Sequence, residues 1–189
     1  LFNEEISYSK LNKKCLDVLV RSGACDTIVD DRFKHCRHLW LSVVNNRPKN
    51  KKKLEENIKS NTAEPDFSEE EKIENVVSLT GIFPFDLVLD KKVRERLEQA
   101  KVPPIADYDK DLQLSWFIPR EIIPKKTRNG KTFWILNVID DTCQTTKIMC
   151  WNIWGDTRVF LNRPYIAKLE HSEQWGFSTR KVGGFKLIG

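Results

Sequence analysis

Apolar positions recur at helical spacing through the first half of the chain. Leu11, Cys15, Val18 and Leu19 fall on one face of a helix over residues 10–20. Ser9 serves as its N-cap, and Ser22-Gly23 ends it, because Gly23 can take the left-handed conformation. Asp26 or Thr27 caps a second helix over roughly residues 28–45, with Ile28, Phe33, Cys36, Trp40 and Val44 on its buried face. Residues 47–68 are polar and lack aromatics until Phe67, so they read as a linker with weak helix. Ser68 followed by Glu69, Glu70 and Glu71 opens another helix, since acids favour the positive end of a helix dipole. That helix carries Ile73, Val76, Val77 and Leu79 and stops at Gly81, and a short one follows over residues 90–100.

The texture changes at residue 112. Leu112 to Ile123, Phe133 to Ile139, Thr145 to Trp151, Tyr165 to Leu169 and Gly184 to Ile188 are rich in β-branched and aromatic residues and predict strands. Thr157 to Leu161 predicts a short helix or turn between the third and fourth strands. That order is the order of an OB-fold, a small Greek-key barrel that often binds oligonucleotides. The expected class is α+β. A helical helix–hairpin–helix region spans 1–46, a basic and acidic linker with short helices spans 47–110, and a five-stranded OB-fold β-barrel spans 111–189.

Composition narrows this little. The 40% hydrophobic and 31% charged content is that of a globular protein. No run of about 18 apolar residues predicts a membrane span, and the start shows no signal-peptide pattern. A chain that opens on Leu1 fits a fragment or a processed protein. Five cysteines, Cys15, Cys25, Cys36, Cys143 and Cys150, at uneven spacing read as reduced thiols of a cytoplasmic protein. Charge is more telling. Residues 1–60 hold 13 Lys/Arg against 8 Asp/Glu, residues 61–110 hold 7 against 12, and residues 111–189 hold 12 against 7. Two basic ends flank an acidic middle, so a polyanion would contact the ends.

The sharpest local signal is Asn129-Gly130 between two strand-like runs. Such a pair predicts a two-residue type I′ hairpin, in which both central residues have positive φ. Lys125, Lys126, Arg128 and Lys131 then crowd the hairpin tip, with Phe133 and Trp134 on the strand leaving it. Cations for phosphates beside rings for bases make a single-strand-binding surface. Alternation puts Trp134, Leu136 and Val138 on the core face, which leaves Phe133 as the stacking candidate, with Trp151 or Trp154 as further options.

A second signal lies at Leu19 to Asp26. A tight glycine turn between two helices can leave N–H groups of Ser22, Gly23 and Ala24 free to bind a phosphate, with Lys13, Lys14 and Arg21 adding charge. The plain alternative is a helical hairpin in which Gly23 is only a C-cap. His35, Cys36 and His38, with Cys25, are the candidate metal ligands. Their spacing departs from C-x2-4-C, so no metal or other cofactor is expected, and the residues read as core Cys and surface His. Gln113 to Phe117 has the form of a clamp-docking peptide but falls at the start of the first strand, where burial is expected. The Lys51-Lys52-Lys53 run reads as solvated linker.

Three segments resemble one family. Leu11-Asn12-Lys13-Lys14 through Gly23-Ala24-Cys25-Asp26 is similar to the N-K…L-I-x-A-G-A-F-D segment of bacterial replicative DNA polymerase III alpha subunits, the C-family polymerases. Leu79-Thr80-Gly81-Ile82-Phe83-Pro84-Phe85-Asp86 resembles their L-G-x-Y-L-S-G-H-P-L-D segment, without the His. Lys125 to Asp141 is similar to the first hairpin of their OB-fold. The order is the family's, and the divergence suggests a phage or distant relative in a bacterial or infected cell. The resemblance implies a C-terminal, non-catalytic region that holds duplex and single-stranded DNA for a polymerase. Nothing in the chain resembles the palm that carries the metal-binding aspartates. Asp140-Asp141 aligns with the strand-end acid of the hairpin, where a turn role is expected. The implied partners are DNA, a polymerase core subunit and a sliding clamp. The alternative is a protein-interaction module that docks onto polymerase, clamp or another replication protein.

Overall fold

A computed structural model of the chain describes residues 12–27, 31–153 and 158–188. It divides into two compact units, Leu1–Pro84 and Phe85–Gly189. Ser9, Leu11, Ile28, Trp154 and Thr157, to which the sequence assigned roles, lie outside the described residues.

The first unit is helical. Helix α1 runs Lys13–Arg21 with Asn12 as N-cap, its side chain accepting from Cys15 N. Its buried positions are Leu16 and Val20, one turn apart, and they pack with Val44. Cys15 and Leu19, expected inside, are exposed, because the inward stripe is rotated about one residue from the predicted one. Helix α2, Cys36–Leu39, continues as a π-helical turn over Trp40–Asn45. The wider winding is closed by Asn46 N donating to Leu41 O at 3.2 Å.

Helix α3, Lys51–Ser60, occupies the stretch expected to be a linker. Asn50 caps it by accepting from Lys53 N. Its inner face carries Leu54 and Asn57. Asn57 is buried and donates to Ser42 O at 3.0 Å and to Asn46 O, so it satisfies carbonyls of the π turn. Two buried positions in ten residues give a sparse periodicity, which is why the polar sequence predicted a linker with only weak helix. Helix α4, Glu69–Thr80, has the predicted start and stop: a full capping box between Ser68 and Glu71, and Gly81 in the left-handed region.

In the second unit, α5 (Phe85–Val88) and α6 (Lys91–Ala100) precede a seven-stranded mixed sheet. Its strands are β1 Leu114–Lys126, β2 Thr132–Ile139, β3 Thr146–Cys150, β4 Tyr165–Lys168, β5 Glu170–Ser172, β6 Gly176–Thr179 and β7 Lys186–Leu187. The order is β5-β6-β3-β2-β1-β4-β7. Neighbours are antiparallel except β3 and β6, which are parallel. Only Leu169 separates β4 from β5, yet β4 pairs with β1 and β5 with β6. The sheet therefore curls until those two strands are consecutive. Phe117, Leu136, Val138, Ile148, Cys150 and Leu169 fill the concave side.

Five strands were expected and seven are present among the described residues. The additional pair, β5 and β6, is short, and β5 is exposed throughout, so neither carries a hydrophobic pattern. Arg158 to Phe160 form no helix, and Leu161-Asn162 is a turn with Asn162 at φ 59.

Residues 85–110, expected to belong to the linker, lie in the second unit. The reason is a set of bonds. Trp116 N donates to Pro103 O at 3.0 Å, Ile105 enters the core, and Tyr108 OH donates to Leu169 O at 2.8 Å. Asp140, almost wholly buried, accepts from Ala106 N at 2.8 Å, Thr142 N at 3.0 Å and Thr142 Oγ1 at 2.6 Å. One carboxylate thus pins the 105–107 turn to the turn that follows β2. Replacing Asp140 with Ala leaves those donors unpaired and should cost about 3 kcal/mol in urea unfolding. Asp141→Ala, at an exposed position, should stay within about 0.5 kcal/mol.

Candidate nucleic-acid interface

The β1–β2 hairpin is built differently from the expectation. Gly130 has φ 75, but Asn129 is not among the positive-φ residues. Gly130 N donates to Thr127 O at 3.0 Å, and Thr127 N donates to Lys131 O at 2.9 Å. The loop is therefore Arg128-Asn129-Gly130, three residues with the left-handed one last. The type I′ turn is corrected because Lys126 pairs with Thr132, which leaves five residues between the paired ends rather than two. Thr127 Oγ1 also accepts from Lys131 N at 3.1 Å and stiffens the tip.

Lys125, Lys126, Arg128 and Lys131 are all exposed there, and no salt bridge among the described residues engages them. Their field is uncompensated at the tip. Register places Lys125 opposite Phe133. Phe133 in turn stacks on Trp151, with ring centroids 4.6 Å apart and planes 22° from parallel. The predicted alternation is observed. Leu136 and Val138 are in the core with Trp134 packed against it, and Phe133 lies on the other face. Two residues proposed separately as base-stacking rings are thus brought together, half-buried, on the solvent side of the sheet and next to a cation. Trp175 is 65% exposed in the β5–β6 turn.

The glycine turn after α1 does not form the expected phosphate cradle. Gly23 is left-handed at φ 80, and Ser22 N donates to Val18 O, which is helix-ending geometry. The next helix among the described residues begins at Cys36, and the N–H of His38 near its start is already capped by His35 Nδ1. Asp26 N donates to Gly23 O, and its carboxylate stands where a methyl on Gly23 would lie 3.2 Å away. An acid thus occupies the approach to the turn. Arg21 donates from Nε to Asn75 Oδ1 at 3.1 Å, pairs with Asp17 at 3.4 Å and lies over the Trp40 ring, so it serves α1–α4 packing. Lys13 and Lys14 are exposed in the first turn of α1, about 12 Å along the helix from Arg21. Ala24 is exposed.

The His and Cys residues have structural partners. His38 is buried rather than on the surface. Its Nδ1 accepts from Lys34 N at 3.1 Å, and its Nε2 bonds Ile58 O at 2.8 Å. His35 Nε2 bonds Glu64 O at 3.0 Å. Cys36 Sγ donates to Val20 O at 2.8 Å. At the start of β1, Ser115 and Phe117 are fully buried, so that part of the clamp-like segment belongs to the core.

Comparison with known protein families gives no match, and comparison with curated proteins gives none. The interface therefore rests on its own geometry.

Burial, with Asp26 and Asp66 nearby, pushes the Cys36 thiol up from 9.0 to about 12, and burial alone does the same for Cys150. Both stay protonated in the folded protein after unfolded thiols have ionised. Stability from these groups is complete below about pH 9 and is lost as pH rises towards about 12. A thiol-reactive disulfide at pH 8 should label exposed Cys15 and Cys143 first and reach Cys36 and Cys150 only on unfolding. Fast labelling of four or five thiols would contradict this.

Proposed function

We propose that this chain is a non-catalytic DNA-binding module of a replicative DNA polymerase of the C-family alpha-subunit kind. The observation that carries the proposal is the juxtaposition at the β1–β2 hairpin. Four exposed cations without ion-pair partners among the described residues adjoin a stacked Phe133–Trp151 pair on the solvent face. Cations hold phosphates and ring faces take bases, which together suit a single strand without fixing its sequence.

The strand pairing supports an OB-fold reading of the sheet. If β4 and β5 are taken as one strand bent at Leu169, the pairings run β1-β2-β3-β6-β5/β4-β1 in a closed circuit. OB-fold barrels bind oligonucleotides across their second and third strands; here Phe133 lies on β2 and Trp151 directly follows β3. The helical unit would add duplex phosphate contacts through exposed Lys13 and Lys14, with Arg21 and Gly23 committed to the fold. Its role is positioning. Asp140 has its carboxylate filled by three donors and is not poised for metal chemistry.

The second reading is docking onto polymerase, clamp or another replication protein. It draws on the exposed rings of Phe160 and Trp175, which no core claims.

Four phosphate contacts imply a log–log salt slope of about −2.8 for a single strand, so affinity should fall about 50-fold between 50 and 200 mM salt. Fluorescence anisotropy with a labelled oligonucleotide measures this. Replacing Lys125, Lys126, Arg128 and Lys131 together with Ala should abolish most of the slope. Salt-independent binding would overturn the phosphate contacts. Unchanged oligonucleotide binding by the fourfold variant, with loss of a captured replication protein, would favour docking.

A further inference from the structure

The solvent face of the sheet continues beyond the ring pair. Register places Ile135 opposite both Ile123 and Met149, and Asn137 opposite both Glu121 and Lys147. These positions alternate with the core residues Leu136, Val138 and Ile148, so they share the face of Phe133. Three rungs result. Lys125, Phe133 and Trp151 form the first, Ile123, Ile135 and Met149 the second, and Glu121, Asn137 and Lys147 the third. Successive rungs lie two strand residues apart, about 6.8 Å.

Ile123, Ile135 and Met149 are each half-buried on this face. Scattered surface apolar groups are ordinary, but these three adjoin one another and continue the aromatic rung. The charges are arranged around them. The hairpin cations stand at one end. At the other, Lys147 is exposed and has no ion pair among the described residues. The acid of that rung, Glu121, is engaged, since Asn137 Nδ2 donates to its Oε2 at 2.6 Å. An apolar strip with the hairpin cations at one end and Lys147 at the other, where Glu121 is the one acid of the rung and is turned to Asn137, fits a ligand with flat apolar faces and anionic links.

We infer that Ile135 and Met149 form the second step of a base-packing platform begun by Phe133 and Trp151, with Lys147 holding the phosphate at its far end. The site then takes two consecutive nucleotides of a single strand. The inference rests on the DNA-binding reading above and adds to it the footprint and three further contact residues. A duplex cannot use the platform, because its bases already cover one another's faces.

The test uses an oligothymidylate of about eight nucleotides and a duplex of the same length. Lys147→Ala, at an exposed position, should shrink the single-strand salt slope by about 0.7, one phosphate contact. Met149→Ala should weaken single-strand binding about fourfold with no change in slope, the contact of roughly one buried methylene. It should leave duplex binding unchanged. Thermal melting confirms that each variant is folded, and Lys147→Ala alone decides the matter if Met149→Ala is not. Wild-type affinity and slope in both variants would overturn the platform. If the fourfold hairpin variant is still defective in that case, the DNA-binding reading survives. If that variant also binds like wild type, both ideas fall.

Discussion

Strand β1 has to serve two neighbours along its length. Leu114 to Phe117 pair with β4, and Ile118 to Lys126 pair with β2. A straight strand cannot satisfy both halves of a curled sheet. The register slips between Pro119 and Glu121, and the extra residue, Arg120, bends the strand there. Pro119 O then accepts from Asn162 N at 2.8 Å, and Arg120 bonds the Asn162 side chain, so the bend is held from outside. Burial pulls the Arg120 guanidinium below its ordinary pKa range, a sign of how far it is withdrawn from water. The placement of the candidate interface follows from this bend. It lets β4 and β5 close round the core while the far half of β1 projects with β2 as the cationic hairpin.

The two units solve stability differently. The second has a contiguous apolar core, sealed by the Asp140 carboxylate. Among its described residues the first has an apolar cluster of Leu16, Val20 and Val44 with Cys25, Cys36, Leu39 and Trp40 packed on it, besides buried Val43, Leu54 and Ile73, and polar side chains also connect its elements. Asn57 ties α3 to the π turn, His38 ties Lys34 to Ile58, and Asn75 receives Arg21 from α1. Buried polar groups must be paired, and once paired they specify one arrangement. Arg21, His35, Cys36 and His38, which look like binding or metal-site candidates in a linear reading, are consumed by that task. The glycine turn illustrates it: its arginine packs on a tryptophan, and an aspartate covers its glycine.

Local signals were therefore legible wherever a backbone rule acts alone. The Ser68 cap with its acidic first turn, the stop at Gly81 and the alternation along β2 were all readable from residue type and spacing. Helix α3 was legible only as weak helix within a linker, because its burial rests on one Leu and one Asn. Strands β5 and β6 were not, because β5 faces water throughout and β6 takes its place through a parallel pairing with distant β3. The hairpin was placed correctly but its turn type was not. Asn-Gly allows a two-residue turn, and strand register decides whether it is used.

The sequence by itself determined the α+β order, the basic hairpin and which face of β2 turns inward, since each depends on charge or period within a few residues. Tertiary structure alone decided that Phe133 meets Trp151, that Asp140 is a pin, and that Arg21 is an internal strut rather than a free cation. Those outcomes depend on partners brought together across the fold by strand register and helix packing, which no local pattern encodes.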